Sequence, residues 1–298
     1  MINNTPLVSI IIPTYNRGHV LKNAINSALN QTYKNIEIIV IDDGSTDDTN
    51  EVLNSYIDKI RYIQKPYNTG KSYSRNIGLA NSSGSIIATI DSDDVWHYNY
   101  LERCINYLLA ENLDIIFATC VGHGFNHKKL VKKQYHVFKY DEIRNLVLHY
   151  CPAPTSGVIM KKTAMAFGWH NETMEYEDWY LQIECIVKNK NCRTGFISET
   201  LWEKREDEEV KSKLKSTQQN LHRTNATFLL LNRLKGELTQ KEFNIIQQNY
   251  FKDTIRLIMV LIRNRDYKKE IWKNIYLMFS SPIQIISLFF KVVQNKIS

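Results

Sequence analysis

No stretch of 18 uncharged apolar residues occurs anywhere in the 298-residue chain, so no segment reads as a membrane-spanning helix. The five cysteines, at positions 104, 120, 151, 185 and 192, are odd in number and form no CxxC pair. That argues against a disulfide framework and for free thiols in a reducing cytoplasm. Residues 1–6 are polar and lead straight into a strand, without the apolar core of a secretory signal. Internal repeats and low-complexity tracts are absent. Net charge is almost missing from the first two thirds: residues 1–200 carry 20 Lys+Arg against 21 Asp+Glu, a net of −1. Residues 201–298 carry 18 against 10, a net of +8, so the basic excess sits entirely in the last third. These charges lie on segments with wide apolar faces and no recognisable nucleic-acid module, so no nucleic-acid partner is expected and a membrane surface fits better.

What is present suits a soluble globular protein, with 43% hydrophobic and 23% charged residues. The length allows one large domain, or a domain with an extension. Apolar, β-branched runs at 8–12, 36–41, 60–63 and 86–90 read as buried strands. Between them, 20–29, 47–56 and 72–80 have helical character, the second capped by Thr46 or Asp47. Strands alternating with helices predict a βαβ series and a mostly parallel sheet. Ligands of such sheets bind beyond the carboxyl ends of the strands. Asp42 and Asp43 stand at one such end, and Asp91, Asp93 and Asp94 at another.

In an extended segment Asp91 and Asp93 point to the same side, because side chains alternate. Carboxylates held that close repel unless a cation lies between them. A hard divalent ion, Mg2+ or Mn2+, takes oxygen ligands and completes its shell with substrate phosphates. The alternative is a solvated acidic turn, with Asp94 capping the next helix. Asp42 could equally be a turn-former.

Further on, 101–109 and 141–149 read as helices, and 115–119 and 158–160 as strands; after 193–197 the composition shifts. Residues 123–139 read as a loop or hairpin, whose His123, His127 and His136 lack zinc-ligand spacing. The acidic cluster at 175–178 opens a helix over 179–187, and attraction to the helix dipole alone could account for it. A charged loop follows at 202–216, then helices at 221–234, 241–250, 254–263 and 269–279. The tail, 282–298, is a broad apolar helix face with a narrow polar stripe. It must bury that face, against protein or in the headgroup layer of a membrane, and the second is expected.

Taken together, VSIIIPTYNR (8–17), EIIVIDDGSTDDT (37–49), NTGKSYSRNIGLANSSGSIIATIDSDD (68–94), PTSGVIMKK (154–162) and EYEDWYLQIE (175–184) resemble the family-2 glycosyltransferases of the GT-A fold. The resemblance covers about residues 7–200 and is closest to the bacterial surface-polysaccharide branch. It implies an α/β GT-A nucleotide-diphospho-sugar transferase domain over 1–205; the helical pattern after it predicts a C-terminal extension over 206–298, whose apolar, basic tail is the candidate for membrane association. It also implies metal-dependent transfer of a sugar from a nucleotide-diphosphate donor, with inversion, to a lipid-linked or oligosaccharide acceptor. By the same resemblance Pro13, Tyr15 and Arg17 lie on the nucleotide loop. Asp43 resembles the carboxylate that accepts the uracil imide N–H, with Asp42 as second choice, which favours a UDP-linked donor. Arg75 faces the diphosphate. Asp91 and Asp93 form the DxD pair for Mn2+ or Mg2+, with Asp94 as alternative ligand. Asp178 matches the catalytic base, with Glu177 as runner-up; the two point about 100° apart on a helix, so only one can face the cleft. The expected location is cytoplasmic, peripheral on the inner face of the cell membrane.

One departure stands out. Many relatives carry an Arg-x-His segment where this chain has residues 202–207; Arg205 or Lys204 could serve there, but the histidine is missing. Two rival readings are weaker. The string DSDDV after a strand resembles the nucleophile motif of haloacid-dehalogenase-type phosphatases, which leaves the IDDGS and EDW segments without a role. A catalytically silent sugar-nucleotide-binding protein would not need every acidic element.

Overall fold

A computed structural model describes residues 5–121, 134–165, 168–171, 176–205 and 216–264. The chain opens with β1 (Val8–Thr14), α1 (Gly18–Leu29), β2 (Ile36–Asp42), α2 (Thr49–Asn54), β3 (Arg61–Gln64), α3 (Lys71–Ala80) and β4 (Ile86–Thr89). Next come β5 (Val95–Trp96), α4 (Tyr100–Ala110), β6 (Ile115–Val121), β7 (Tyr135–Val137) and α5 (Tyr140–His149). The remaining elements are β8 (Val158–Lys161), α6 (Glu177–Lys188), β9 (Thr194–Glu203), α7 (Ser216–Leu234) and α8 (Gln240–Asn264).

The strands form a nine-stranded sheet in the order β3-β2-β1-β4-β8-β6-β9-β5, with β7 joined to β9. The expected parallel pairing holds from β3 to β4. Beyond β4 the sheet is mixed: β8 runs antiparallel between β4 and β6, and β5 and β7 are antiparallel to β9. Period-two alternation divides the buried strands between two cores. Ile10, Ile12 and Val40 face α1 and α4, while Ile11, Ile39 and Ile41 face the other layer with α5 and α6. α3 approaches the second face closely at Gly78, where an added Cβ would sit 2.5 Å from Ile11 Cγ2 and 2.8 Å from Ile41 Cδ1. No side chain fits there without moving the helix that carries Arg75.

The helices after residue 215 pack on this second face. Leu230, Leu231 and Leu234 of α7 and Ile246 of α8 share a core with Phe196, Tyr180 and Leu181. Residues 241–250 and 254–263, expected as two helices, form the single helix α8. Asp253 does not break it, because it is buried and its carboxylate accepts from Arg223 Nε at 3.0 Å. The expected helix at 269–279 and the tail at 282–298 lie outside the described residues, as do His123 and His127. His136 stands on β7, 3.1 Å from Glu142. Among the described residues no helix is long and apolar enough to cross a membrane.

Arg144 of α5 fastens the last helices to the sheet domain. Its guanidinium donates to Glu242 Oε1 at 2.5 Å and Oε2 at 3.1 Å, to the Glu237 carbonyl at 2.6 Å and to the Val187 carbonyl at 3.1 Å. Burial pushes the Glu242 carboxyl up, but Arg144 and Thr239 outweigh it and bring it from an ordinary 4.5 down to about 2. A group depressed by folding stabilises above its unfolded value and loses that contribution as pH falls through the folded one. Wild type is therefore expected to lose more unfolding free energy than Glu242→Gln between pH 6 and pH 3. Urea titrations of both at the two pH values check this, and equal losses would remove the carboxylate's role.

Candidate active site

The acidic residues at 91–94 are not extended. Asp94 N donates to the Asp91 carbonyl at 3.0 Å, closing a turn immediately after β4. The alternation argument for Asp91 and Asp93 therefore fails, and the turn brings the carboxylates together instead. Asp94 caps no helix, since β5 follows it directly and α4 starts only at Tyr100. Ser156, on the turn before β8, ties the acidic turn to the sheet. Its Oγ accepts from Asp91 N at 2.9 Å and donates to Asp94 Oδ2 at 2.5 Å. Asp94 Oδ1 accepts from Arg205 N at 3.3 Å. Burial, then the charges of Asp91 and Asp93, push the Asp94 carboxyl up to about 8. Burial and the nearby Asp91 raise Asp93 as well, opposed by the positive charges of Arg17 and Lys204.

Arg75 reaches this turn from α3. It is fully buried and donates to Asp91 Oδ1 at 2.5 Å and to Glu177 Oε1 at 2.7 Å. Burial alone would lower its proton affinity, but Asp91 and Glu177 outweigh that and raise it. Lys71, one helical turn earlier, contacts the same Glu177 oxygen at 2.7 Å. Burial raises the Asp91 carboxyl, and Arg75 and Lys71 bring it below the usual range.

Glu177 and Asp178 begin α6; the N-cap residue Tyr176 makes no side-chain cap, Asp178 Oδ1 accepts from the first-turn N–H of Trp179 at 2.9 Å, and Glu177 is held by cations instead. The dipole therefore does not account for the pair on its own. Glu177 is buried and held by the two cations. Asp178 turns away to Thr155, whose N–H and Oγ donate to Oδ2 at 3.1 and 3.2 Å. Burial, then Glu177, push its carboxyl above the ordinary value. Asp178 also borders a small cavity with Thr155, Gln182, Met165 and Trp169.

The other expected site residues cluster at the ends of β1 and β2. Pro13 is buried within β1, opposite Ile41. Tyr15 is 41% exposed, so its ring is free to stack. Arg17 is held at its backbone, N–H to Thr49 Oγ1 at 3.0 Å, and reaches Asp93 electrostatically. Asp42 accepts from Ser45 N at 2.9 Å and Ser45 Oγ at 2.5 Å, which is the work of a turn-former. Asp43 is buried, accepts from Thr69 N at 2.9 Å and Gly70 N at 2.8 Å, and is ion-paired with Lys65. Lys65, Lys71, Thr155 and Ser156 escaped the sequence reading. The signal for Lys71 was its spacing: four residues before Arg75, on the same face of α3. Thr155 and Ser156 stood inside the PTSG string without a role attached.

For a metal, the donor set is hard oxygen. The carboxylates of Asp91 and Asp93 belong to one turn, and burial first, then the charge of Asp91, raises Asp93; a cation would relieve both. Asp94 is engaged by Ser156 and Arg205. Among the described residues no group of three or more His, Cys, Asp or Glu side chains forms a cage. Two carboxylates fit Mg2+ or Mn2+ when further oxygens come from a bound phosphate.

The profile of glycosyl transferase family 2 matches residues 9–165, over half of the chain. The UDP-Glc:alpha-D-GlcNAc-diphosphoundecaprenol beta-1,3-glucosyltransferase WfgD of Escherichia coli is 34% identical over 197 residues, covering 64% of this chain and 75% of the relative. Against other curated glycosyltransferases the chain spans about half the length, 53% of one and 58% of another. Among solved structures, S. aureus TarS 1–349 with UDP-GlcNAc aligns at a TM-score of 0.62 and 19% identity, over 88% of this chain and 76% of that one. The mannosyltransferase PcManGT from Pyrobaculum calidifontis, with GDP-Man and Mn2+, aligns at 0.60 and 12% identity, over 99% and 82%. These two structural likenesses carry the fold, which is GT-A.

Proposed function

This chain belongs to glycosyl transferase family 2, and from that premise we propose that it is an inverting transferase moving a sugar from a UDP-linked donor to a hydroxyl of a lipid-linked or oligosaccharide acceptor in surface polysaccharide synthesis. The observation that carries this reading is Arg75. One buried guanidinium joins Asp91 of the acidic turn to Glu177, the neighbour of Asp178. A diphosphate-binding pole and a basic carboxylate are thereby held on one frame. The donor and acceptor classes are supported by the substrates named for WfgD and by UDP-GlcNAc in TarS.

In this reading Tyr15 stacks on the base and Asp43 accepts its imide N–H. Asp178 takes the acceptor hydroxyl's proton as that oxygen bonds to the anomeric carbon, and its raised proton affinity suits the task. The bond to the diphosphate breaks on the opposite face, so a single displacement inverts the centre. Arg75, Arg17 and Lys204 place positive charge around the leaving group. Asp91 and Asp93 would hold Mn2+ or Mg2+, which offsets the negative charge the diphosphate gains on leaving.

The test is hydrolysis of a panel of UDP-sugars with and without Mn2+, beside phenyl phosphate. Turnover of phenyl phosphate alone would favour the phosphatase reading, and turnover of neither would favour a silent binding protein. Asp93→Ala is expected to weaken UDP binding and flatten its dependence on Mn2+, because one anionic ligand is lost. An unchanged Mn2+ titration by calorimetry would remove the metal role from Asp93.

The same reading puts the basic last third against anionic lipid on the inner membrane face. Its net charge of +8 supports this, since each Lys or Arg near such a surface contributes about 1 kcal/mol. The full chain is expected to float with anionic liposomes and a chain ending at Phe279 to float less. Equal flotation would leave the tail no membrane role.

A further inference from the structure

Two cations of α7 grip the segment that leads into Glu177 and Asp178. Arg233 donates to His170 Nδ1 at 2.6 Å. His170 Nε2 is paired with the buried Glu184 of α6, so the ring carries its proton on Nε2 and bridges two helices. The ring also lies edge-on to Tyr180, with centroids 4.6 Å apart. At the other end of the segment the Arg223 guanidinium lies 6.0 Å from the centre of the Tyr176 ring, immediately before Glu177. Arg223 is itself anchored by the buried Asp253 of α8.

Trp169, next to the first grip, faces the site. Trp169 borders the cavity beside Asp178, and Arg75 lies 6.0 Å from its ring centre. Its backbone is clamped to α3 by Asn76, which accepts from Trp169 N at 2.8 Å and donates to the Trp169 carbonyl at 2.7 Å. Gly168 makes the approach possible: its φ is +63°, and an added Cβ would meet Asn76 Oδ1 at 2.5 Å. The strand of chain carrying Trp169 and His170 is thus pressed from one side by α3 and from the other by α7.

We infer that Arg233 and Arg223 are positioning residues for the transfer reaction, through which the C-terminal helices set the placement of Trp169 and Asp178. This rests on the reading of Asp178 as the base. Both grips fall on residues beside Trp169 and Asp178, so their loss is expected to act on the chemical step and to leave donor binding little changed. A shift of about 1 Å in a catalytic group costs up to 10²-fold.

The test uses the full chain with Arg233→Met, Arg233→Lys and Arg223→Met, measuring turnover of UDP-GlcNAc and UDP-Glc, affinity for UDP by calorimetry, and thermal midpoint. For both Met variants kcat is expected to fall roughly 10- to 100-fold while the Kd for UDP stays within about twofold. Arg233→Lys, which keeps a donor for His170 Nδ1, is expected to recover most of the rate. Wild-type kcat in both Met variants overturns the inference. So does a parallel fall in UDP affinity, kcat and thermal midpoint, or a failure of both to fold, since either marks ordinary structural residues. A wild type that turns over neither sugar nucleotide overturns the functional reading instead.

Discussion

Asp178→Asn is expected to lower sugar transfer by about 10²–10⁴-fold while leaving fold and donor binding intact, the effect typical of losing a general base. The asparagine carbonyl can still accept from Thr155 N and Oγ, the two bonds that hold Oδ2, and only the bond from Trp179 N to Oδ1 is lost. It cannot take a proton. Glu177→Gln should behave differently, because Glu177 is the shared partner of Arg75 and Lys71 and its loss of charge weakens a buried cluster. Stability measured by urea, UDP affinity by calorimetry and transfer rate separate the two variants. Transfer by Asp178→Asn at a near wild-type rate would put the base elsewhere. The pH profile offers a second reading. Folding raises the Asp178 carboxyl, burial first and Glu177 second, and the group works deprotonated. The rate should therefore be present above that raised value and fall away below it, with an acidic limb lying above the ordinary 3.8.

The N-terminal half was legible because its physics is local. Runs such as Ile10-Ile11-Ile12 and Ile39-Val40-Ile41 are buried on both faces of a parallel sheet, and that burial demands continuous apolar sequence. Carboxylates following such runs stand at strand ends wherever the turns are short. The second half depends on contacts between distant segments. Nothing local says that β8 inserts between β4 and β6, or that Ser156 will lace the acidic turn to it. Asp253 in an otherwise helical stretch reads as a boundary until Arg223, 30 residues earlier, is brought against it. Lys71 reads as a solvated lysine until α6 delivers Glu177. The resemblance preferred Asp178 to Glu177 and the helical angle only set them on different sides, and the structure gives each its own partners.

Arg75→Met is expected to cost about 3–5 kcal/mol of folding stability, the usual result of removing one partner from a buried ion pair. Arg75 is fully buried, and so is Glu177, which would keep only the half-exposed Lys71. Glu177 Oε2 has no hydrogen-bond partner among the described residues even in the intact cluster, so the carboxylate has no reserve contact to fall back on. Asp91 would also lose its bond to α3 and the positive charge that keeps it ionised. Its carboxylate is partly exposed and can be rehydrated, so most of the cost falls on Glu177. A double variant tests this division. Arg75→Met with Glu177→Leu removes both buried charges, and replacing such a pair by apolar groups is often neutral or better. The double variant should recover much of the stability lost by Arg75→Met in urea unfolding, yet remain defective in UDP-sugar turnover, because the link between Asp91 and the start of α6 is gone. If the double variant is no more stable than the single one, the cost lies in packing around Trp169 rather than in a stranded carboxylate. If it transfers sugar normally, Arg75 holds the fold and takes no part in aligning the two poles of the site.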